Sequence, residues 1–576
     1  MKPLHTLSGL LPPLLLLAAC TDFSAHIDTG LGEKVRERLA REEHLPLARF
    51  ANTPPRDIAE ELQNRQTGKI LPPADSASSP QVPQATHRDL SLLEVRRSAL
   101  EHNLDLAVAR VDPSIAATTV SEEIAKFDDL IFARARFSRK DTPPYDAEVA
   151  KFTDINPDSP LNGETVKLTE IAQTTELLEL EGGVSIPLRT GGRLTLSLPL
   201  DEKQTFRGVR SDQYRSALRF SISQPLLRDA GPKANVASIR IARYEQQATD
   251  LRTRLQAIRV LASVDKAYWA LWAAWAELDV RRQQYQNASD QLGMVKRRIA
   301  EGLTAAVEAN RAEVGVAERL EGLIVAETSL KIRQRQLKLL MNDPALPLEG
   351  STVLNPGLQP SLVAFDFDRD ALVAQALSGR LELLELELKL ASDLTKIDYL
   401  QNQTLPQFML DYSYANLGRN DSFNTSFDDS FGGDYSDWSV GLRMEVPLTN
   451  EARKARLQRA VHERQQRLST RQLRELTVRR EIHDTLDQLQ QNWQRILAAR
   501  QNVIVAGINY EAEQKQFREG LRTMTEVLES LTRLGEARIR EVRAITDYQI
   551  AQIDLAFATG TLLGYSRIVW QASAGK

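Results

Sequence analysis

Only one of the 576 residues is a cysteine, Cys20, so no disulfide can form within the chain and no cysteine-rich zinc cluster is available. The seven histidines are scattered. No His-Glu-x-x-His helix, Gly-Lys phosphate loop or Gly-x-Ser-x-Gly elbow occurs, so metal-hydrolytic, nucleotide and serine chemistry lack their usual signatures. An excess of one charge is missing too: the net charge is -4 and the pI is near 6.1, which gives nucleic acid no basic field to bind. Long apolar runs are absent beyond the first twenty residues. The longest candidate, Ala267 to Ala276, is half the ~20 residues a spanning helix needs and is flanked by Asp265, Lys266 and Glu277. Any deep contact with a bilayer must therefore be made by strands closed into a barrel, because an open sheet edge leaves its backbone groups unpaired in lipid.

What is present begins at the N-terminus. Lys2, the apolar run Leu14 to Leu17 and the small pair Ala18, Ala19 read as a secretory signal over residues 1–19. The end Leu17-Ala18-Ala19-Cys20 resembles a bacterial lipobox, which implies a covalent lipid on Cys20. Thr21 follows where Asp would favour inner-membrane retention, so outward sorting is expected. Residues 20–85 are rich in proline, with one short helical candidate around Leu31 to Glu43, and read as a tether from the lipid.

The chain then runs one programme twice. Ala99-Leu100 and Ala376-Leu377 each head a helical segment, strands follow, and Pro225-Leu226 and Pro447-Leu448 form corners into very long helical arms. The arms, Pro232 to Arg298 and Glu451 to Phe517, contain no proline after the first residue and would each reach about 100 Å at ~1.5 Å per residue. They turn at Glu301-Gly302-Leu303 and Glu519-Gly520-Leu521 and return as second helices ending near Met341 and Leu563. Ile482, Leu486, Leu489, Trp493 and Ile496 step by four and three, the seam of a helix packed as in a coiled coil. The strand segments alternate. Trp438, Val440, Leu442, Met444 and Val446 oppose Ser439, Gly441, Arg443 and Glu445; Leu218, Phe220 and Ile222 oppose Arg219, Ser221 and Ser223. One face suits lipid and the other water, although a half-buried soluble sheet alternates in the same way.

In their order and spacing, the duplicated Ala-Leu openings, Pro-Leu corners and Gly-Leu turns, with Asp547-Tyr548 and Leu555 to Gly560 near the end, resemble the TolC family of outer-membrane efflux proteins from about Asp89 to Leu563. The resemblance implies a mainly α chain with a membrane β-barrel: a homotrimer whose shared barrel, four strands from each copy, continues into a long periplasmic α-helical tunnel built from two internal repeats. The repeats would span 86–345 and 366–565, joined by a linker at 346–365 and closed by a tail at 566–576. It further implies a passive duct in the outer membrane, working with a periplasmic adaptor and an inner-membrane pump in efflux or type I secretion, and neither an enzyme nor a holder of cofactor or metal. Glu526 and Glu529 fall where the family places acidic residues at the periplasmic mouth; three copies would gather six carboxylates, raise one another's pKa and favour cations. Arg522 matches a position that ties the tip closed. Gly302, Leu303, Thr304 and Gly520, Leu521, Thr523 resemble adaptor-contacting tips. Two Glu three residues apart are otherwise an ordinary solvated face, and a Gly-Leu turn an ordinary helix reversal.

The first copy departs from the family plan by an insertion of roughly fifty residues, including an alternating pair, Val184 to Leu188 and Leu194 to Leu200, around the turn Arg189-Thr190-Gly191-Gly192. It is expected to stand as an extracellular hairpin above a standard barrel formed with Leu130 to Phe137 and Tyr214 to Ser223; six strands per copy in a wider barrel is the alternative. Tyr268, Trp272 and Trp275 form a helical stripe expected to pack against neighbouring helices. Asn416 to Asp437, with Asp421, Asp428, Asp429, Asp434 and Asp437, reads as a solvated extracellular loop without a calcium-binding register. The rival architecture is a lipid-anchored trimeric coiled-coil spacer or adhesin with no pore; a periplasmic adaptor should carry one helical hairpin rather than two.

Overall fold

A computed structural model describes residues 87–568 except 152–157, 159–164, 171 and 208. Cys20, the signal and the tether lie outside the described residues, as does the tail from 569 onward. The described residues belong to one compact unit, 85–576. In chain order they form β1 (His87–Leu90), α1 (Leu92–His102), α2 (Leu104–Ala109), α3 (Asp112–Ala125), β2 (Leu130–Thr142), β3 (Tyr145–Lys151), β4 (Thr165–Glu170), β5 (Gln173–Pro187), β6 (Arg193–Arg207), β7 (Val209–Pro225), α4 (Pro232–Asn235), α5 (Ala237–Ala300) and α6 (Val307–Met341). There follow β8 (Val353–Pro356), α7 (Arg369–Gly379), α8 (Leu381–Gln403), β9 (Gln407–Asn420), α9 (Phe423–Gly432), β10 (Ser436–Glu445), α10 (Glu451–Arg518), α11 (Met524–Ala558) and α12 (Leu562–Tyr565).

The long arms are single helices of 64 and 68 residues, α5 and α10, which gives each about 100 Å. Val478, Ile482, Leu486, Leu489 and Ile496 are buried along α10, and Trp493 packs on Tyr548 of α11 with ring centres 5.4 Å apart. In the middle of α5, Leu261, Val264, Tyr268 and Leu271 are sealed from solvent. The aromatic stripe packs as expected. It also fastens a parallel pair of strands, β1 and β8, to the bundle, since Tyr268 donates to the Leu90 carbonyl at 3.3 Å and Trp275 to that of Leu354 at 2.7 Å. Asp265, which bounds the apolar run in the sequence, is fully buried rather than at a wet edge. Arg96 of α1 reaches it with two N–H donors at 2.8 and 2.7 Å. Burial pushes the Asp265 carboxyl above the usual range, and the guanidinium pulls it partly back.

Six strands form one antiparallel sheet in the order β10-β9-β7-β6-β5-β2. This corrects the expected hairpin. Val184 to Leu188 and Leu194 to Leu200 lie inside the sheet, between β2 and β7, and their turn sits at the helical end: Gly231 N–H donates to the Thr190 carbonyl at 2.9 Å, and Gly191, at φ 89°, is crowded by the Asp229 backbone. The hairpin at the opposite end is β3–β4. The physical reason is the leucine face. Val184, Leu180 and Leu178 on β5 and Leu194, Leu196, Leu198 and Leu200 on β6 continue the apolar surface of β7, whereas a hairpin standing above the barrel would hold that surface in water. The other face carries Arg134–Glu181 and Arg136–Glu179 pairs, each at 3.6 Å. On this polar side the small residues Ser185, Ser197, Ala217 and Ala415 are buried.

The acidic stretch after β9 is also not simply a loop. α9 lies on the apolar side of β7 and β9, where Ser216 and Gly418 interrupt the large residues: Ser426 is buried there, its carbonyl accepts from the Ser216 hydroxyl, and its own hydroxyl donates to the Tyr214 carbonyl at 3.2 Å. Phe423, Phe427 and Phe431 form a ridge along one flank, with Phe423 edge-on to Tyr214. Among the described residues no cluster could hold a metal ion.

Candidate aperture and docking tips

Both helical hairpins reverse through the same local chemistry. Gly302 (φ 74°) and Gly520 (φ 79°) take the left-handed conformation that ends a helix, and the next residue's N–H reaches back to a carbonyl: Leu303 to Arg298 at 2.9 Å and Leu521 to Gln516 at 3.0 Å. Glycine is therefore explained by the turn alone. The leucines are not, since Leu303 and Leu521 are 64% and 71% exposed. Thr304 is half-buried and Thr523 exposed.

The two tips are held side by side. Arg298 of α5 donates to the carbonyls of Phe517 (3.3 Å) and Arg518 (2.9 Å) and lies over the Phe517 ring, while Glu308 of α6 accepts the Met524 N–H at 3.2 Å. Beneath them a shared core of Leu292, Val295, Ala312, Val316, Phe517, Met524 and Val527 joins α5, α6, α10 and α11. Neither Arg298 nor Glu308 stood out in the sequence, because charged residues in the last and first turns of helices are commonplace.

The predicted residues of the second tip divide. Thr523 and Glu526 form a capping box at the start of α11, with the Thr523 N–H donating to the carboxylate at 2.7 Å. Arg522 bridges Glu526 at 2.7 Å and Glu513 at 3.3 Å and donates to Gln516 at 3.0 Å, so the partners that the sequence left unread all lie in its own hairpin. The Thr523 N–H foremost, with the Arg522 guanidinium and the Thr523 hydroxyl behind it, holds the Glu526 carboxyl below its usual range. Glu529, one turn on, is exposed and pairs with Arg533 at 2.5 Å. Within one copy Glu526 is thus a stabilised anion with cationic company; mutual raising of carboxyl pKa values belongs to a ring of several copies.

A sheet with one apolar and one polar face, carried by two helical hairpins of about 100 Å, is the protomer fold of outer-membrane channels. Solved structures share it: the Campylobacter jejuni CmeC outer membrane channel (TM-score 0.58, 15% identity, 82% of this chain and 86% of that one) and the open state of the Neisseria gonorrhoeae MtrE outer membrane channel (TM-score 0.56, 14% identity, 82% and 89%). "Outer membrane protein TolC" of Vibrio cholerae is 25% identical over 308 residues, 53% of this chain and 68% of that protein. The chain belongs to the outer membrane efflux protein family, whose model matches residues 195–343 and 372–561. That is a family of channel proteins, not of enzymes.

Proposed function

We propose that three copies of the chain close into one β-ring prolonged by a helical tunnel, forming a passive duct across outer membrane and periplasm. A periplasmic adaptor and an inner-membrane pump feed the duct, in efflux or type I secretion. The observation that carries the reading is incompleteness: among the described residues the sheet is open at β2 and β10, every residue of β10 is exposed, and one face is predominantly apolar. An open edge with an apolar face is stable in lipid only when another strand closes it. The helices are unfinished in the same sense. Val325, Ile332 and Leu339 lie seven residues apart on α6, and Leu497 and Ile504 seven apart on α10; all are more than half exposed or nearly so, the spacing of seams that pack against another helix. Cys20 supplies the lipid anchor, Leu303 and Leu521 the adaptor contacts, and Glu526 and Glu529 the acidic lining of the mouth.

Purified protein should run as a detergent-stable trimer and conduct ions in a planar bilayer with cation preference. Glu526→Gln with Glu529→Gln should lower that preference while trimers persist. A monomer, or a trimer without conductance, would favour the pore-less spacer.

A further inference from the structure

Strand direction and register go further than closure in general. β2 rises from the helical end of the sheet and β10 descends to it, so the two free edges of different copies meet antiparallel, as an even number of strands per copy requires. We infer that the ring contains eighteen strands, six from each of three copies, and that it closes with Leu130 of one copy opposite Glu445 of the next. The inference rests on the duct reading and adds to it the strand count, the register and the place where cargo is selected.

Three observations converge on that register. It overlaps all ten residues of β10 with β2, so that both strands end flush at the helical side. It sets apolar against apolar on the outer face: Ile131 with Met444, Ala133 with Leu442, Ala135 with Val440 and Phe137 with Trp438. On the inner face it sets Ser138 against Asp437, which places that carboxylate diagonally between Arg136 and Lys140. Sliding β10 by one residue would turn every apolar side chain inward; sliding it by two toward the helices would carry two of its residues past Leu130, and sliding it by two the other way would set Trp438 against Arg139 instead of Phe137.

The third observation is the stagger. Straight across the sheet, Ser439 faces Ser413, then Ser221, Thr195, Ser185 and finally Leu130. The proposed closure returns from Leu130 to Glu445, six residues below Ser439. Six residues of stagger over six strands is one per strand, the ratio that tilts the strands of an eight-stranded barrel by about 36°. Closed membrane barrels adopt tilts of about 35–45°. The register chosen for side-chain complementarity therefore also closes the ring at an ordinary tilt.

With strands about 4.8 Å apart and so tilted, eighteen strands give a backbone circle about 34 Å across, against about 23 Å for the twelve strands of four per copy. The row Ser439, Ser413, Ser221, Thr195, Ser185 lines the polar side with hydroxyls. A ring of that width does not sieve the cargo, so size and charge selection passes to the tips, where Glu526 and Glu529 stand.

Two cysteine pairs separate the claims, in full-length protein inserted into lipid and with Cys20 lipidated as usual. Ala135→Cys with Val440→Cys should oxidise to covalent dimers and trimers that reductant dissolves. Ala135→Cys with Leu180→Cys should lose both reactive thiols without forming a larger species. Opposed antiparallel residues fall within disulfide reach. If the first pair links and the second stays reduced, the insertion lies outside the ring and eighteen strands is wrong, while the duct stands. If Ala135→Cys links to Met444→Cys instead of Val440→Cys, the register is wrong. If no pair links between copies and no trimer forms, the duct reading itself fails. A cryo-microscopy map of the trimer should show eighteen strands in the ring; twelve would overturn the inference.

Discussion

The middle of α5 and the free edge of the sheet are built from similarly apolar segments and treat them in opposite ways. Around Leu261, Val264 and Tyr268 the chain buries its apolar side chains completely against its own elements, and even a carboxylate, Asp265, is enclosed with its cation. Along β10 the residues Trp438, Val440, Leu442 and Met444 are all more than half exposed. The difference locates the missing solvent. Where burial is complete the fold needs only itself; where an alternating strand stays bare on face and edge, one copy leaves the fold unfinished, and the proposed ring would complete it.

The sharpest test of the enclosed side is Asp265→Asn. It leaves the Arg96 guanidinium buried without its counter-charge, and breaking one partner of a buried pair costs about 3–5 kcal/mol. Denaturation of detergent-solubilised protein should show that loss. A change below about 1 kcal/mol would mean water reaches the pair and the two regions differ less than their burial suggests. On the open side, Leu442→Arg puts a charge on the apolar face and should cost about 2–4 kcal/mol at the bilayer midplane, measured by reversible folding into lipid vesicles. Ser439→Arg, on the opposite face of the same strand, should change stability by less than about 1 kcal/mol. Equal costs for the two would show that the strand does not separate lipid from water.

Those faces were legible in the sequence, and so were the helical arms, because period-two and period-seven patterns survive without knowledge of partners. Order across the sheet was not. Alternation in Val184 to Leu188 and Leu194 to Leu200 marks two strands and the Gly191 turn, but it is silent on which end the turn occupies and which strands flank the pair. The leucine face was the available signal, since those side chains had to meet something apolar. The tip glycines were readable from their helix-ending context. Arg298 and Glu308, which join the two hairpins, were not, because nothing local distinguishes a clamp from a solvated charge. Arg96 and Asp265 lie 169 residues apart, and no sequence period links them.

A smaller effect separates the sheet's two ends. At the end away from the helices α9 rests on Gly418, and a Cβ there would fall 1.8 Å from the Ser426 carbonyl oxygen. Backbone cannot yield as a flexible side chain does, so Gly418→Ala should lift α9 at a cost of about 1–3 kcal/mol. Limited proteolysis between 421 and 435 should become faster in whole cells while trimers persist. Gly441 on β10 has only the Asp411 backbone and Cβ at 4.0 Å, and Gly441→Ala should leave cleavage unchanged.

The smallest effect distinguishes the two tips. α11 begins with the Thr523–Glu526 capping box, whereas no side chain caps the start of α6 at Ala306. The Glu526 carboxyl is held below its usual range, so its contribution is fully present above the unfolded value and is lost as pH falls through the folded one. Acidification through the carboxylate range should therefore release the Thr523 amide and free Arg522, with little change at Gly302. Hydrogen exchange, corrected for the intrinsic rate at each pH, should show protection of Thr523 disappearing in acid. Glu526→Gln retains a side chain able to complete the box but cannot titrate, so its protection at Thr523 should be lower near neutrality and flat with pH. If the wild-type amide is equally flat, the carboxylate does not hold the tip, and the asymmetry between the hairpins must come from Arg298 and the core beneath Met524.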